Sequence, residues 1–301
     1  MVETSDEWIV TRTGIKERRI ADDQTASSDM AVEAARRALE MSGVKNEEID
    51  LLIVATVTPD YRLPSTACIV QQKLGLPHAA AFDVVAACAG FINGVSIAAS
   101  YIQSGMYNRI MVIGVEKLSS ITNYGDRNTC VLFGDGAGAA VIGPGPNGSG
   151  VLSTYVRSDG NLSHLLWSEV GGSAVPFNHD NLSLGRDKIL MNGSDVFKIA
   201  VREMGRASEI ALEEAGLTAA DIALVLPHQA NIRIIEALAK RLRIPMERVY
   251  LNIDKYGNTS AASVPLALDE ANREGRIKPG DNLLMVAFGG GLIWGAAVVR
   301  W

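Results

Sequence analysis

Internal repetition constrains the fold of this chain more than any other feature. The segment "ARRALEMSGVKNEEIDLLIV" (35–54) is echoed by "SEIALEEAGLTAADIALVLP" (208–227), with Gly43 matching Gly216 and Ile49 matching Ile222 at one separation. Each copy has apolar positions at helical spacing, a glycine where a helix C-terminus needs the left-handed conformation, a short loop and an apolar run of strand length. The order continues with "QQKLGLP" ending at Pro77 against "AKRLRIP" ending at Pro245, "IMVIG" (110–114) against "LLMVA" (283–287), and "GAAVIG" (138–143) against "GAAVVR" (295–300). Between these pairs the register sets Cys88 opposite Asn258, followed by helices that stop at Gly105 and Gly275. Alternating strands and helices predict two similar α/β halves, each around a mostly parallel sheet closed by a late hairpin.

The seam falls in the turn-rich, uncharged "GPGPNGSG" (143–150), dividing the chain into 1–146 and 147–301. The second half opens with a strand, "GVLSTYV" (150–156), whose counterpart would precede residue 1. Either the first half does without that strand or the sequence as given begins late, and a gap or a neighbour is expected in its place.

Composition excludes several functions. With 48% hydrophobic and 21% charged residues the chain is globular, and its net charge of −6 argues against a dedicated nucleic-acid binder. Three cysteines, at 68, 88 and 130, make no even set and no Cys-x-x-Cys pair, which disfavours disulfides and structural zinc and suits a cytoplasmic location. "MVETSDEW" has no basic segment leading into an apolar one, so no signal peptide is expected. Two uncharged stretches, 84–108 and 282–299, are diluted by Asn93, Ser96 and Ser100 or broken by "GGG" (289–291), so no membrane span is expected.

The repeat gives Cys88 a context. It lies in "VVAACAGF" (84–91), at the junction of a strand with a following helix, where the helix N-terminus favours a thiolate and the small neighbours let an acyl group approach. His228, in "LVLPHQAN", ends another core strand, and Asn258 sits in "YGNTSAAS". Singly, these are a buried thiol, a structural histidine and a turn cap. Together they make a nucleophile with two hydrogen-bond donors for a carbonyl gaining negative charge.

At these residues the chain resembles β-ketoacyl-acyl carrier protein synthase III, the initiating condensing enzyme of type II fatty acid synthesis within the thiolase superfamily. The resemblance spans essentially the whole sequence and rests on "TSDEWIVTRTGI" (4–15), "AACAGF" (86–91), "FGDGAGAAV" (133–141), "PHQANIRI" (227–234), "GNTSAASVP" (257–265) and "FGGGLIWGAA" (288–297). It implies a thiolase fold of two pseudo-symmetric halves with mixed five-stranded sheets in α/β/α/β/α layers, a homodimer, and a Cys-His-Asn triad on Cys88, His228 and Asn258. Elongating synthases have histidine at the position of Asn258, and thiolases need a second catalytic cysteine; neither pattern fits.

The resemblance implies a reaction too. An acyl-CoA, acetyl-CoA in the first instance, acylates Cys88 while the backbone N–H groups of Cys88 and Gly290 hold the oxyanion; malonyl-acyl carrier protein then loses CO₂ and condenses to a 3-oxoacyl-carrier protein. No metal or organic cofactor is implied. Trp8 and Arg127 would sandwich the CoA base, Arg12 and Asn231 would contact its phosphate and pantetheine, and Phe197 would flank the nucleophile. Read alone, these are a surface tryptophan, surface arginines and a packing residue. "GDGAG" (134–138) lacks dinucleotide-loop spacing and reads as structural.

In "NIRIIEALAKRLR" (231–243), Arg233, Lys240, Arg241 and Arg243 outweigh Glu236, a solvated face that, with Lys198, could receive an acidic carrier protein. Leu63 stands where some relatives carry a phenylalanine reaching the partner's acyl pocket, which would admit longer or branched primers. The alternatives are a Cys-His-Asn condensing enzyme with a longer or branched donor or in a secondary-metabolite pathway, and a non-catalytic thiolase-fold binding protein.

Overall fold

A computed structural model describes residues 2–145 and 148–301. The first stretch carries α1 (Asp6–Thr13), α2 (Ser27–Ser42), β1 (Leu51–Ala55), α3 (Thr66–Leu74), β2 (Ala80–Val84), α4 (Gly90–Gln103), β3 (Ile110–Glu116), α5 (Arg127–Cys130) and β4 (Gly136–Ile142). The second carries β5 (Gly150–Ser158), β6 (Leu166–Ser168), α6 (His179–Ser183), β7 (Ile189–Met191), α7 (Gly193–Glu214), β8 (Leu224–Pro227), α8 (Ile232–Leu242), α9 (Ile253–Tyr256), α10 (Ser263–Arg273), β9 (Asn282–Gly289) and β10 (Ile293–Arg300). The seam expected between 146 and 147 lies outside the described residues.

Period-two side-chain alternation builds the layers. In β1, Leu51 and Ile53 face a central cluster with Phe91 and Val95 of α4, Val264 and Leu268 of α10, and Leu283 and Met285 of β9. Leu52 and Val54 face the other way, against Ala31 and Val32 of α2 and Ala67 and Val70 of α3. The second sheet does the same with Leu284 and Val286 against α7 and α8. Helices α4 and α10 therefore form the middle layer between two sheets. Each large aliphatic side chain buried there contributes about 1.5–3 kcal/mol.

The sheets run β2-β1-β3-β4 and β5-β10-β9-β8, so each has four strands rather than five. In the second, the fifth place is reduced to one parallel bridge, Val225 with Val249, beside β8. The chain leaves the sheet there because the Gln229 amide takes the Tyr250 carbonyl at 3.1 Å and the Asn252 N–H at 3.2 Å, groups a longer strand would have paired. In the first, β4 is the edge: β10 pairs antiparallel with β5, whereas a cavity of about 940 Å³ runs beside β4, lined by Met30, Ala34, Val95, Leu266 and Val299. Among the described residues no strand pairs with the outer side of β4.

Candidate active site

Two strand-to-helix elbows meet between the sheets. At the first, a short 3₁₀ turn, Ala87–Ala89, leads into α4, and Ala87 has φ of 43°. At the second, Ser260–Ala262 leads into α10, and Ser260 has φ of 48°. Such a conformation in a residue with a Cβ costs about 1–3 kcal/mol and is kept where surrounding contacts enforce it. These two residues share the separation of Gly43 from Gly216, so the structural counterpart of Cys88 is Ala261, not Asn258. The error has a physical source: α4 has 14 residues and α10 has 11, so the helix ends at Gly105 and Gly275 match three residues out of step with the helix starts.

Each elbow is pressed by the strand end of the other half. A Cβ at Gly289 of β9 would stand 2.6 Å from the Cys88 nitrogen, so only glycine lets β9 pass, and it lays the peptide leading to Gly290 against the Cys88 amide. At Gly290 itself the nearest atom to an added Cβ would be the Leu166 carbonyl oxygen, at 2.8 Å. Across the pseudo-axis, Gly114 of β3 makes the same room for the Ala261 carbonyl.

Asn258 donates its backbone N–H to the Leu132 carbonyl at 2.8 Å, and its Oδ1 accepts the Ser260 N–H at 2.9 Å. That bond assigns the amide orientation and leaves the NH₂ as the group available to a substrate. His228 is buried, its N–H donating to Val286 of β9 at 2.8 Å and its Nδ1 lying 2.6 Å from the Ser263 hydroxyl. Burial pushes the imidazole down to about 3, so it is neutral near pH 7. With Ser263 assigned as the donor to Nδ1, the neutral ring carries its proton on Nε2, free to donate to a substrate.

Cys88 is buried, at 8% exposed. Burial, with a smaller contribution from the Glu116 carboxylate, pushes its thiol up to about 12, opposed by a hydrogen bond from Ser260. The thiolate expected from a helix N-terminus is therefore outweighed by desolvation. Residues 258–263 tie two members of the expected triad, Asn258 through Ser260 and His228 through Ser263, and pack against the turn that carries Cys88. Glu116, Ser260, Ser263 and Gly289 escaped the sequence reading. The anomaly that could have exposed Glu116 is an acid closing the apolar run "IMVIGV" of a fully buried strand.

A buried thiol at one elbow thus lies against the segment that holds Asn258 and, through Ser263, a neutral histidine. A family model described as 3-Oxoacyl-[acyl-carrier-protein (ACP)] synthase III matches residues 82–160, and its C-terminal counterpart matches 212–301. Beta-ketoacyl-[acyl-carrier-protein] synthase III of Caldanaerobacter subterraneus subsp. tengcongensis is 56% identical over 301 residues, covering 100% of this chain and 91% of its own. The chain belongs to this family. It is a condensing acyltransferase that initiates type II fatty acid synthesis. The namesake from Clostridioides difficile is also 56% identical, over 100% of this chain and 92% of its own. The crystal structure of the Aquifex aeolicus VF5 synthase III superposes with a TM-score of 0.92 at 50% identity, covering 99% of this chain and 92% of that one. The thiolase fold follows.

Around this synthase III centre the peripheral residues sort into two groups. Trp8 and Arg12, one turn apart on α1, meet Arg127 of α5, with guanidinium carbons 5.0 Å and 4.9 Å from the indole centroid. Asn231 caps α8 by accepting the Arg233 N–H at 2.9 Å and donates to the Arg12 carbonyl at 3.2 Å, while Arg233 reaches the Thr11 carbonyl at 3.3 Å. These five residues form one cluster at the junction of α1 and α8. Phe197, by contrast, is 36% exposed on α7 and is not buried with Cys88.

Of the basic residues, Lys198 pairs with Asp195 at 3.6 Å, whereas Lys240 joins none of the described ion pairs. Arg241 pairs with Glu209 at 3.0 Å, donates to the Arg202 carbonyl at 2.8 Å and packs on Gly205, which makes it part of the α7–α8 contact. Asp135 of "GDGAG" accepts Ser119 N–H at 2.9 Å and Ala21 N–H at 2.9 Å, a structural role. Among the described residues no cluster of three His, Cys, Asp or Glu could hold a metal, and no helix is long and apolar enough to cross a membrane.

Proposed function

We propose that Cys88 takes the acyl group from an acyl-CoA and that His228 and Asn258 stabilise the enolate formed when malonyl-acyl carrier protein loses CO₂. The observation that carries this reading is the tethering of His228 and Asn258 to the single segment 258–263, which packs against the turn that carries Cys88. In the first half-reaction, sulfur attacks the thioester carbonyl and CoA leaves; the Cys88 and Gly290 N–H groups receive the oxyanion. In the second, breaking the C–CO₂ bond supplies the carbanion, so no strong base and no cofactor is required. Neutral His228 donates through Nε2 and Asn258 through its NH₂ to the enolate oxygen, and carbon attacks the acyl-cysteine to give a 3-oxoacyl-carrier protein.

The cluster of Trp8, Arg12, Arg127 and Asn231 suits CoA, with an indole and a guanidinium for the base and charged or amide groups for phosphate and pantetheine. Phe197 flanks the acyl-CoA on its way to the nucleophile, Lys198, Arg233 and Lys240 line the approach of the carrier protein, and Arg241 contributes through α7–α8 packing. The enzyme works as a homodimer in the cytoplasm, with residues 1–146 and 147–301 as its two halves. The free edge of β2 and the exposed Tyr61, Leu63 (87%) and Val85 (78%) supply an apolar dimer surface. Purified protein given acetyl-CoA and malonyl-carrier protein should yield 3-oxobutyryl-carrier protein by mass. Decarboxylation without condensation, or no reaction with any acyl-CoA, would overturn the reading.

A further inference from the structure

Glu116 closes β3 at full burial, a place where a carboxyl group costs stability unless it is neutral or well bonded. Burial pushes it up to about 7, opposed by hydrogen bonds from Thr58, Val57, Ser260 and Thr56. Three of these donors belong to one loop of its own half: the Thr58 hydroxyl at 2.7 Å, the Val57 N–H at 3.1 Å and the Thr56 hydroxyl at 3.3 Å. Thr58 in turn accepts the Lys117 N–H at 2.8 Å, which leaves its own proton for the carboxyl group. Glu116 is thereby a fixed post, and its remaining bond crosses to the other half, to the Ser260 hydroxyl 3.2 Å from Oε1.

Ser260 has φ of 48°, which a residue with a Cβ keeps only under constraint, and its N–H holds Asn258 Oδ1 at 2.9 Å. The Asn258 backbone is anchored independently, its N–H on the Leu132 carbonyl at 2.8 Å and its carbonyl on the Gly134 N–H at 3.0 Å. Those bonds leave the side-chain amide to rotate, and the Ser260 N–H fixes it. Beyond Ser260, the Ala261 carbonyl is pinned where β3 passes at Gly114. Relief of the Ser260 φ would therefore turn the 259–260 peptide and carry its N–H away from Asn258.

We propose that Glu116 is a positioning residue for condensation: through the Ser260 hydroxyl it keeps the Ser260 N–H on Asn258 and so aims the Asn258 NH₂ at the enolate oxygen. This rests on Asn258 being a donor to the enolate. Glu116 itself touches no substrate. It acts across the pseudo-axis, with the end of β3 in the first half setting a side chain of the second. Loading of Cys88 draws on backbone N–H groups at the other elbow, so it does not depend on where the Asn258 amide points.

Substitutions at Ser260 separate conformation from packing. Ser260→Ala keeps the Cβ and loses the tether, so condensation of the acetyl-enzyme with malonyl-carrier protein should slow about tenfold. Ser260→Gly loses the tether and more packing, yet glycine adopts this φ without a Cβ penalty, so it should recover most of that loss. A packing role alone would rank the two the other way. Glu116→Leu should slow condensation at least as much as Ser260→Ala, Glu116→Gln, which keeps an acceptor in place of Oε1, should lose less, and adding Ser260→Gly to Glu116→Leu should restore part of the rate. In all of them acylation by acetyl-CoA should fall far less than condensation, with thermal unfolding confirming that each protein folds. In an Asn258→Ala background, Ser260→Ala should cost nothing further. Condensation by Ser260→Gly no faster than by Ser260→Ala, an equal loss of acylation, or a further loss in Asn258→Ala would overturn the proposal; if Glu116→Leu does not fold, the serine variants decide it. An Asn258→Ala enzyme that condenses at the wild-type rate would instead overturn the reading on which it rests.

Discussion

At the first elbow Ala87 takes the left-handed conformation and Cys88 follows it; at the second, Ser260 takes that conformation and Ala261 follows. The same backbone corner, repeated, thus offers its polar group one residue apart. The strand ends facing the elbows differ too. Gly289 and Glu116 stand at corresponding places, yet Gly289 brings the β9 backbone against the Cys88 backbone while Glu116 bonds to Ser260. One elbow is packed against bare backbone, and the other is held by side-chain hydrogen bonds around Ser260. Duplication supplied the frame, and side chains at the two corners divided the labour between nucleophile and support.

Breaking the first corner should have the largest effect. Cys88→Ala should abolish condensation, read as the mass of the carrier protein, and adding Ala261→Cys should restore nothing, because the Ala261 carbonyl is already crossed by β3 at Gly114. Next come the donors. His228→Ala and Asn258→Ala should each slow malonyl decarboxylation about 100-fold to 1000-fold, while acyl loading, which relies on backbone N–H groups, suffers far less. Equal losses in both half-reactions would merge the two roles.

Much of this division was legible in the sequence, and what escaped it had a common cause. The glycines ending the paired helices take the predicted left-handed conformation, with φ of 67° at Gly43 and Gly216, 72° at Gly105 and 69° at Gly275. That requirement is local, so one residue type betrays it. Glu116, Ser260 and Ser263 were not legible, since each matters through a partner more than 30 residues away. Ser260 and Ser263 read as turn and helix filler until His228, Glu116 and Cys88 are brought to them. The match of Cys88 with Asn258 failed because the two middle helices differ in length.

Gly289→Ala sharpens the comparison by driving a methyl group into the close contact of β9 with the Cys88 backbone. The added methyl must displace Cys88 or β9, so acylation should fall at least tenfold and stability by about 1–3 kcal/mol. The pH dependence of folding has opposite signs at the two supports. His228 is held below its ordinary 6.5, so the unfolded chain binds its proton first and stability falls as pH drops from about 6.5 towards about 3. Glu116 is raised from 4.5 to about 7, so its contribution is complete below about 4.5 and is lost as pH rises through about 7. In denaturant titrations, His228→Gln should lose about 2 kcal/mol less than the wild type between pH 7 and pH 5. The smallest effect belongs to the surface. Lys240→Glu should weaken use of malonyl-carrier protein a few-fold and flatten its salt dependence, leaving acyl loading unchanged.

The asymmetry of the two elbows is tested most directly by finding where the acyl group goes. Of the three thiols, Cys68 is exposed, Cys130 half-buried and Cys88 buried, so simple accessibility would label Cys68 first. After brief exposure to acetyl-CoA without carrier protein, followed by acid quenching and proteolysis, mass spectrometry should find the acetyl group on the peptide containing Cys88 alone. An acetyl group on the Cys68 or Cys130 peptide, or an unmodified Cys88 in an enzyme that still condenses, would contradict the assignment of the nucleophile to the first elbow.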